Sequence, residues 1–328
     1  MDARITKQRL GNLLSYDWLK MLVTIAIFVF LVVLLFTMTA TRVTNAQTFT
    51  VYAYTDVSAG RDFNSLADKL KNENVLSYDI LETTAEKFTE DSQYDMLSLR
   101  RSTGEGNVMF VSDVWTYKTD EDGNYLDDKG NVVGSAEDAA VEEVSTLFSL
   151  AMGAASKSVE DGYGTVYDTR FYLQSCRDYL VSFFGEDLEN NSTPDENKVR
   201  ASFLERNSGD KRYRSDASRE QGIADERKRI ADLREDYLFV MGLFENGTYS
   251  HTEYTDENTQ GETFTSALGV NIGRLNNISD LAYYTGSDDK AHTDALNLVF
   301  FYNNYHSANG MLYEGVTFLR YLYEEYSA

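Results

Sequence analysis

The stretch GEGNVMFVSDVW, Gly104 to Trp115, runs from a glycine-containing turn through an apolar segment into Ser112, Asp113 and Trp115. A hydroxyl and a carboxylate at the end of a buried strand can orient hydroxyls or amines. An indole beside them can stack on a sugar ring or a cation. TFTVYAYTD, Thr48 to Asp56, ends in a similar way, in Tyr54 and Asp56. Asn271 and Arg274, within GVNIGRL, complete the candidate ligand-binding set: Tyr54, Asp56, Ser112, Asp113, Trp115, Asn271 and Arg274. Each has an ordinary structural use as well. The aromatics can pack, the aspartates can cap helices or hold turns, and the arginine can sit at the surface.

Catalysis needs acid, base or nucleophile groups that converge, and no motif here supplies them. His251, His292 and His306 lie in no catalytic or metal-ligating pattern. Cys176 falls on the apolar side of a helical stretch and reads as buried and inert. GEGN lacks the Lys-Ser/Thr of a phosphate-binding loop. TDEDGNYLDDKGNVVGS, Thr119 to Ser135, is acidic, but the calcium-loop register puts Lys118 and Lys129 at ligand positions. A solvated β-hairpin, with turns at Asp122-Gly123 and Lys129-Gly130, is the simpler reading. No enzyme activity, catalytic residue, metal or cofactor is expected.

The elements that would position these residues alternate. Thr48–Asp56 reads as a strand, and Asp62–Asn74 as a helix capped by Asp62 with Phe63, Leu66 and Leu70 inward. Val75–Thr83 reads as a strand, Tyr94–Arg101 as a helix stopped by Gly104, and Asn107–Val111 as a third strand. Strand, helix, strand, helix, strand is the order of a parallel sheet with right-handed crossovers. Ligands of such sheets bind beyond the carboxyl ends of the strands. The expected ends are Tyr54 to Asp56, Glu82 with Thr83, and Ser112 to Trp115.

From Glu137 to Phe244 the periodicity is helical. Val141, Val144, Phe148 and Met152 form one stripe. Val166–Phe184 carries Tyr172, Cys176, Tyr179 and Phe183 on another. Thr193 or Asp195 is placed to start the next helix. Ser218–Phe244 reads as one long helix with Ile223, Ile230, Leu233 and Tyr237 inward. Ala267–Ser279 reads as a strand and turn. The segment from Ala291 to Tyr305 fits helix or strand equally, and Gly310–Ala328 reads as an amphipathic terminal helix.

Met21–Ala40 holds no charged residue over its length. At 1.5 Å per residue such a helix spans roughly 30 Å, a bilayer core. Arg4, Lys7, Arg9 and Lys20 precede or open it and only Arg42 follows closely, so the N-terminus is expected in the cytoplasm. Tyr16 and Trp18 suit the inner headgroup boundary. An uncleaved anchor is favoured over a signal peptide cut near Thr44–Ala46. The chain carries a net charge of −23 over 328 residues, concentrated outside this segment. That acidity repels phosphate backbones and argues against nucleic acid as a partner. A single cysteine excludes an internal disulfide.

The order FTVYAYTD, VLSYDILET, then a helix into GEGNVMFVSD resembles the first lobe of bacterial extracellular solute-binding proteins, the type 2 periplasmic-binding fold. Gly104, Glu105, Gly106 and Asp113 match its turn-then-strand layout over roughly Phe49 to Asp113. Joined to the apolar segment, read as a transmembrane helix (21–40) after a cytoplasmic segment (1–20), the resemblance implies an α/β fold with an extracytoplasmic domain (46–328) of two lobes. Lobe 1 would take about 46–118 and 255–328, and a mainly helical lobe 2 about 119–254. It further implies a non-catalytic, cell-membrane-anchored binder of a sugar or peptide, associated with a transporter permease in the bilayer. The alternative is a structural or accessory subunit of a membrane complex without a small ligand. Solute-binding proteins of single-membrane cells are usually held by a lipid on an N-terminal cysteine, and this chain departs from that pattern.

Overall fold

A computed structural model describes residues 11, 18–39, 43–89, 96–97, 99–100, 103–155, 168–257, 263–301 and 313–328. The flanking residues Arg4, Lys7, Arg9, Tyr16 and Arg42, the segment 90–95 with Tyr94, Val166, and His306 lie outside them. The chain forms two compact units, Met1–Arg42 and Val43–Ala328.

In the first unit, helix α1 (Trp18–Thr39) has a mean hydropathy of 2.7 over Trp18–Leu35. Its described side chains are mostly exposed, including Phe28, Phe30 and Leu35. Twenty-two residues span ~33 Å, so α1 is long and apolar enough to cross a bilayer.

The second unit is a mixed α/β domain built on a six-stranded sheet. In chain order the strands are β1 (Thr48–Ala53), β2 (Ser58–Ala59), β3 (Glu82–Lys87), β4 (Val108–Ser112), β5 (Thr116–Tyr117) and β6 (Val141–Glu143). They continue with β7 (Ser250–Glu257), β8 (Thr263–Asn271), β9 (Ala282–Thr285), β10 (Ala291–His292) and β11 (Leu296–Phe300). The main sheet has the order β3-β1-β4-β11-β8-β7. β1 pairs in parallel with β3 and β4, as the strand–helix alternation predicts. β11 closes onto β4 antiparallel, and β8 and β7 follow antiparallel. β4 and β11 are buried at every position, which suits central strands covered on both faces. β3 (ETTAEK) lies at one edge and is polar, as edges must be to stay soluble.

Helices after α1 are α2 (Leu66–Asn72), α3 (Thr146–Ala155), α4 (Thr169–Phe184), α5 (Glu196–Arg206), α6 (Asp216–Glu245) and α7 (Glu314–Tyr326). One sheet face, with Phe49, Val51, Phe110, Leu298 and Phe300, shares a core with Leu70 of α2, Cys176 of α4, Ile230 of α6 and Leu319 of α7. Tyr172 stacks on Phe300 at 4.2 Å between ring centroids. Gly315 permits that approach, because a Cβ there would meet the Tyr172 hydroxyl at 2.7 Å. The opposite face, with Tyr52, Met109, Val111 and Val299, packs on Leu147 and Leu150 of α3.

Several expectations change. The second strand starts at Glu82, not Val75, so Glu82 and Thr83 lie at its amino end and not its carboxyl end. Its expected first half is a connection whose Val75, Leu76 and Ile80 pack on the core and whose Tyr78 and Asp79 turn to charged groups. Val141 to Glu143 form a strand, and the helix begins only at Thr146. The Thr119–Ser135 hairpin is two consecutive ones, bridged at Thr119–Tyr125 and Leu126–Val132. The ambiguous Ala291–Tyr305 segment yields β10 and β11. Helices α4 and α6, expected in a separate lobe, pack in one core with the sheet.

Candidate functional site

The carboxyl ends of β1 and β4 bring five of the seven predicted residues together. Asp56 Oδ2 accepts from the Ser112 amide at 2.9 Å and from the Ser112 hydroxyl at 2.8 Å. Burial raises the Asp56 carboxyl above its usual range, opposed by Ser112 and the Thr146 hydroxyl. Asp113 Oδ1 accepts from Trp115 Nε1 at 3.1 Å and from the Tyr254 hydroxyl. Burial raises this carboxyl too, opposed by Ser145 and Trp115.

Trp115 lies 5.1 Å from Phe148 and 6.1 Å from Tyr254, with Phe148 and Tyr254 themselves 5.2 Å apart. Tyr54 is buried edge-on against Phe88. The trio that ends β4 is therefore occupied by its own neighbours. The strand end is held down by α3 and β7, and Tyr254 and Phe148 carried no motif by which sequence could pair them with it.

Asn271 and Arg274 serve elsewhere. Asn271 Nδ2 donates to the Asp294 carbonyl at 2.7 Å, and its Oδ1 accepts from the Gly273 amide at 3.0 Å. Arg274 donates to the Gly247 carbonyl. Both tie turns together. His251 packs on Phe244 and meets Thr169 Oγ1 at 2.7 Å; burial lowers its pKa. Burial likewise pushes the Cys176 thiol far up, away from its reactive form. Among the described residues, no group of three or more His, Cys, Asp or Glu is placed to hold a metal ion.

A second region escaped the sequence reading. A cleft of about 670 Å³ lies between the connection after α2, helix α6 and the start of α7. Val75, Leu76 and Ile80 form an apolar wall. Asp225, Lys228, Arg229, Asp232 and Asp236 line it from α6, and Glu314 and Thr317 from α7. Those α6 positions recur three or four residues apart, which puts them on one helix face.

Beneath the cleft runs a buried ionic network. Glu226, fully buried, accepts from Arg229 Nε at 3.0 Å, from the Tyr78 hydroxyl at 3.1 Å and from Arg206. Asp79 pairs with Arg206 at 3.0 Å and with Arg212 at 3.2 Å. Burial alone would raise Glu226, but Arg229 and Arg206 outweigh it and hold the carboxyl below its usual range. Glu314 goes the other way. Burial raises it, and neither Arg229 nor the Ser77 amide, which donates to Oε2 at 3.2 Å, offsets that. Asp236 accepts from Thr317 Oγ1 at 2.6 Å and from Arg320 at 3.0 Å.

The signal was present in α6. Glu226 falls three residues after Ile223 and four before Ile230, on the inward stripe itself. A charge on a buried stripe demands a partner, and that requirement marks the network. No protein-family model, curated protein or solved structure matches the chain.

Proposed function

We propose that Val43–Ala328 is the extracytoplasmic, non-catalytic solute-binding domain of a protein anchored by α1 with its N-terminus in the cytoplasm. On this reading it works beside a transporter permease in the cell membrane. The fold is a divergent type 2 periplasmic-binding kind, with the second lobe folded down onto the first. The parallel β3-β1-β4 order supports the likeness for the first lobe.

One observation carries the binding role: the 670 Å³ cleft, within the size range of small-molecule sites. The binding locus moves from the expected strand ends to this cleft, because Asp113 and Trp115 are already engaged with Tyr254. Thermal unfolding of the full chain in lipid nanodiscs, against sugars, peptides and amino acids, tests the role. A solute that binds the native state raises stability by about 2.7 kcal/mol at a hundredfold excess over its Kd. No shift with any solute would remove the binding role.

The closed strand-end cluster favours a second reading, an accessory subunit with no small ligand. Co-purification with a permease in equal amounts, together with a flat solute screen, would establish it over the first.

A further inference from the structure

We infer that the cleft between α6 and the α2–β3 connection takes a small zwitterion with an apolar side group, a free amino acid or a short peptide. The inference rests on the solute-binding reading and deepens it.

The lining selects among solute classes. Along one face of α6 the cleft meets acid, base, base, acid, acid: Asp225, Lys228, Arg229, Asp232 and Asp236. Twelve residues of helix carry this alternation over ~16 Å, the length of a short peptide. Both signs are thus offered along one wall, while the facing connection sets the apolar Val75, Leu76 and Ile80 among polar Lys71, Asn74 and Ser77. An anion alone would meet an acidic majority once Glu314 is included, and a cation alone would meet Lys228 and Arg229. A neutral sugar brings no charge of its own to set against either sign, and the Tyr78 hydroxyl is already bound to Glu226. A zwitterion places an ammonium near Asp232, Asp236 or Glu314 and a carboxylate near Lys228, and lays its side chain on the apolar wall.

The rim of the cleft is held by exposed groups. Lys228 and Asp232 pair with each other, and their side chains are 75% and 52% exposed. An exposed pair of this kind holds little energy, so a ligand can replace each partner at small cost. The floor is the opposite case. Arg229, bonded to Glu226, and Glu314, which accepts from the Ser77 amide, are both buried there.

The test uses the full chain in lipid nanodiscs, with titration calorimetry and thermal unfolding. The probes are leucine, Leu-Leu, N-acetyl-leucine, leucinamide, maltose and inorganic phosphate. Leucine or Leu-Leu is expected to bind and raise the midpoint, and the two arms separate the free amino acid from the peptide. N-acetyl-leucine lacks the ammonium and leucinamide the carboxylate; each is expected to bind at least tenfold more weakly than its parent. Lys228→Gln should weaken the zwitterion about tenfold and leave the unliganded midpoint where it was, since the side chain is exposed. Equal binding of N-acetyl-leucine, or unchanged affinity in Lys228→Gln, would overturn the inference. A shift with maltose or phosphate and none with either zwitterion would overturn it while the binding role stands. No shift with any probe would overturn both.

Discussion

The strand-end cluster and the α6 cleft use polar groups in opposite ways. At the carboxyl ends of β1 and β4, each carboxylate finds neutral donors close by. Asp56 has Ser112, Asp113 has Trp115 and Tyr254, and an aromatic trio closes over them. At α6 the carboxylates face full charges. Glu226 is held by two arginines, and the surface above it stays open. A cluster held by neutral donors can be closed over by rings, although here it leaves the buried Asp56 Oδ1 without a hydrogen-bond partner. A charged one keeps its desolvation cost low by leaving the outer members at a wet rim. The place with the most suggestive residues is thus the closed one, and the place with the least suggestive is open.

Breaking the network gives the largest expected effect. Arg229→Ala leaves Glu226 buried with half its charge partners and should cost about 3–5 kcal/mol in urea unfolding. A loss below about 1 kcal/mol would mean that the network is solvated and the contrast false. Next comes Trp115→Ala, expected to cost about 2 kcal/mol through lost ring packing, with solute affinity unchanged. If it instead abolished solute binding at constant stability, the strand ends would be the site after all.

The smallest effect is in pH dependence. Glu314 is raised, so the fold holds its proton more tightly than the unfolded chain does. Stability from this group is full below the ordinary carboxylate value and is lost as pH rises through the raised folded value. Glu226 is depressed, so its contribution is present above the ordinary value and lost as pH falls through the depressed one. Glu314→Gln, still able to accept from the Ser77 amide, should therefore gain on the parent chain as pH rises from 4 to 8. Parallel stability curves for the two chains would show that Glu314 carries no such linkage.

Much of the fold was legible because its signals are local. Thr48 to Tyr52, β-branched or aromatic at every position, make most of β1, and Asp195 caps α5 through the Asn197 and Lys198 amides. Twenty uncharged positions marked α1. The failures were of other kinds. Val75 to Leu81 has strand composition, but Tyr78 and Asp79 are drawn to Glu226, Arg206 and Arg212, partners more than a hundred residues away. Val141 and Val144 fit a helical stripe, yet pairing of Val141 with Tyr117 prevails in β6.

Asp56, Ser112, Asp113 and Trp115 come together at the strand ends, as strand order leads one to expect. Strand order does not identify what lies over Asp113 and Trp115, here Phe148 and Tyr254, from α3 and β7. Asn271 and Arg274 stand out by residue type alone, and in the fold they fasten turns.

The pairing of Val108 with Phe300 and of Ser112 with Leu296 has a consequence for biogenesis. The middle of the sheet is a seam between early and late segments of Val43–Ala328. β3, β1 and β4 can assemble first, but β4 then waits with a bare hydrogen-bonding edge until β11, far along the chain, joins it. The contact order is high, folding should be slow, and the waiting edge invites pairing with other chains. A truncation before β11 would leave that edge permanently open, and the product should accumulate as aggregate instead of as a smaller folded domain.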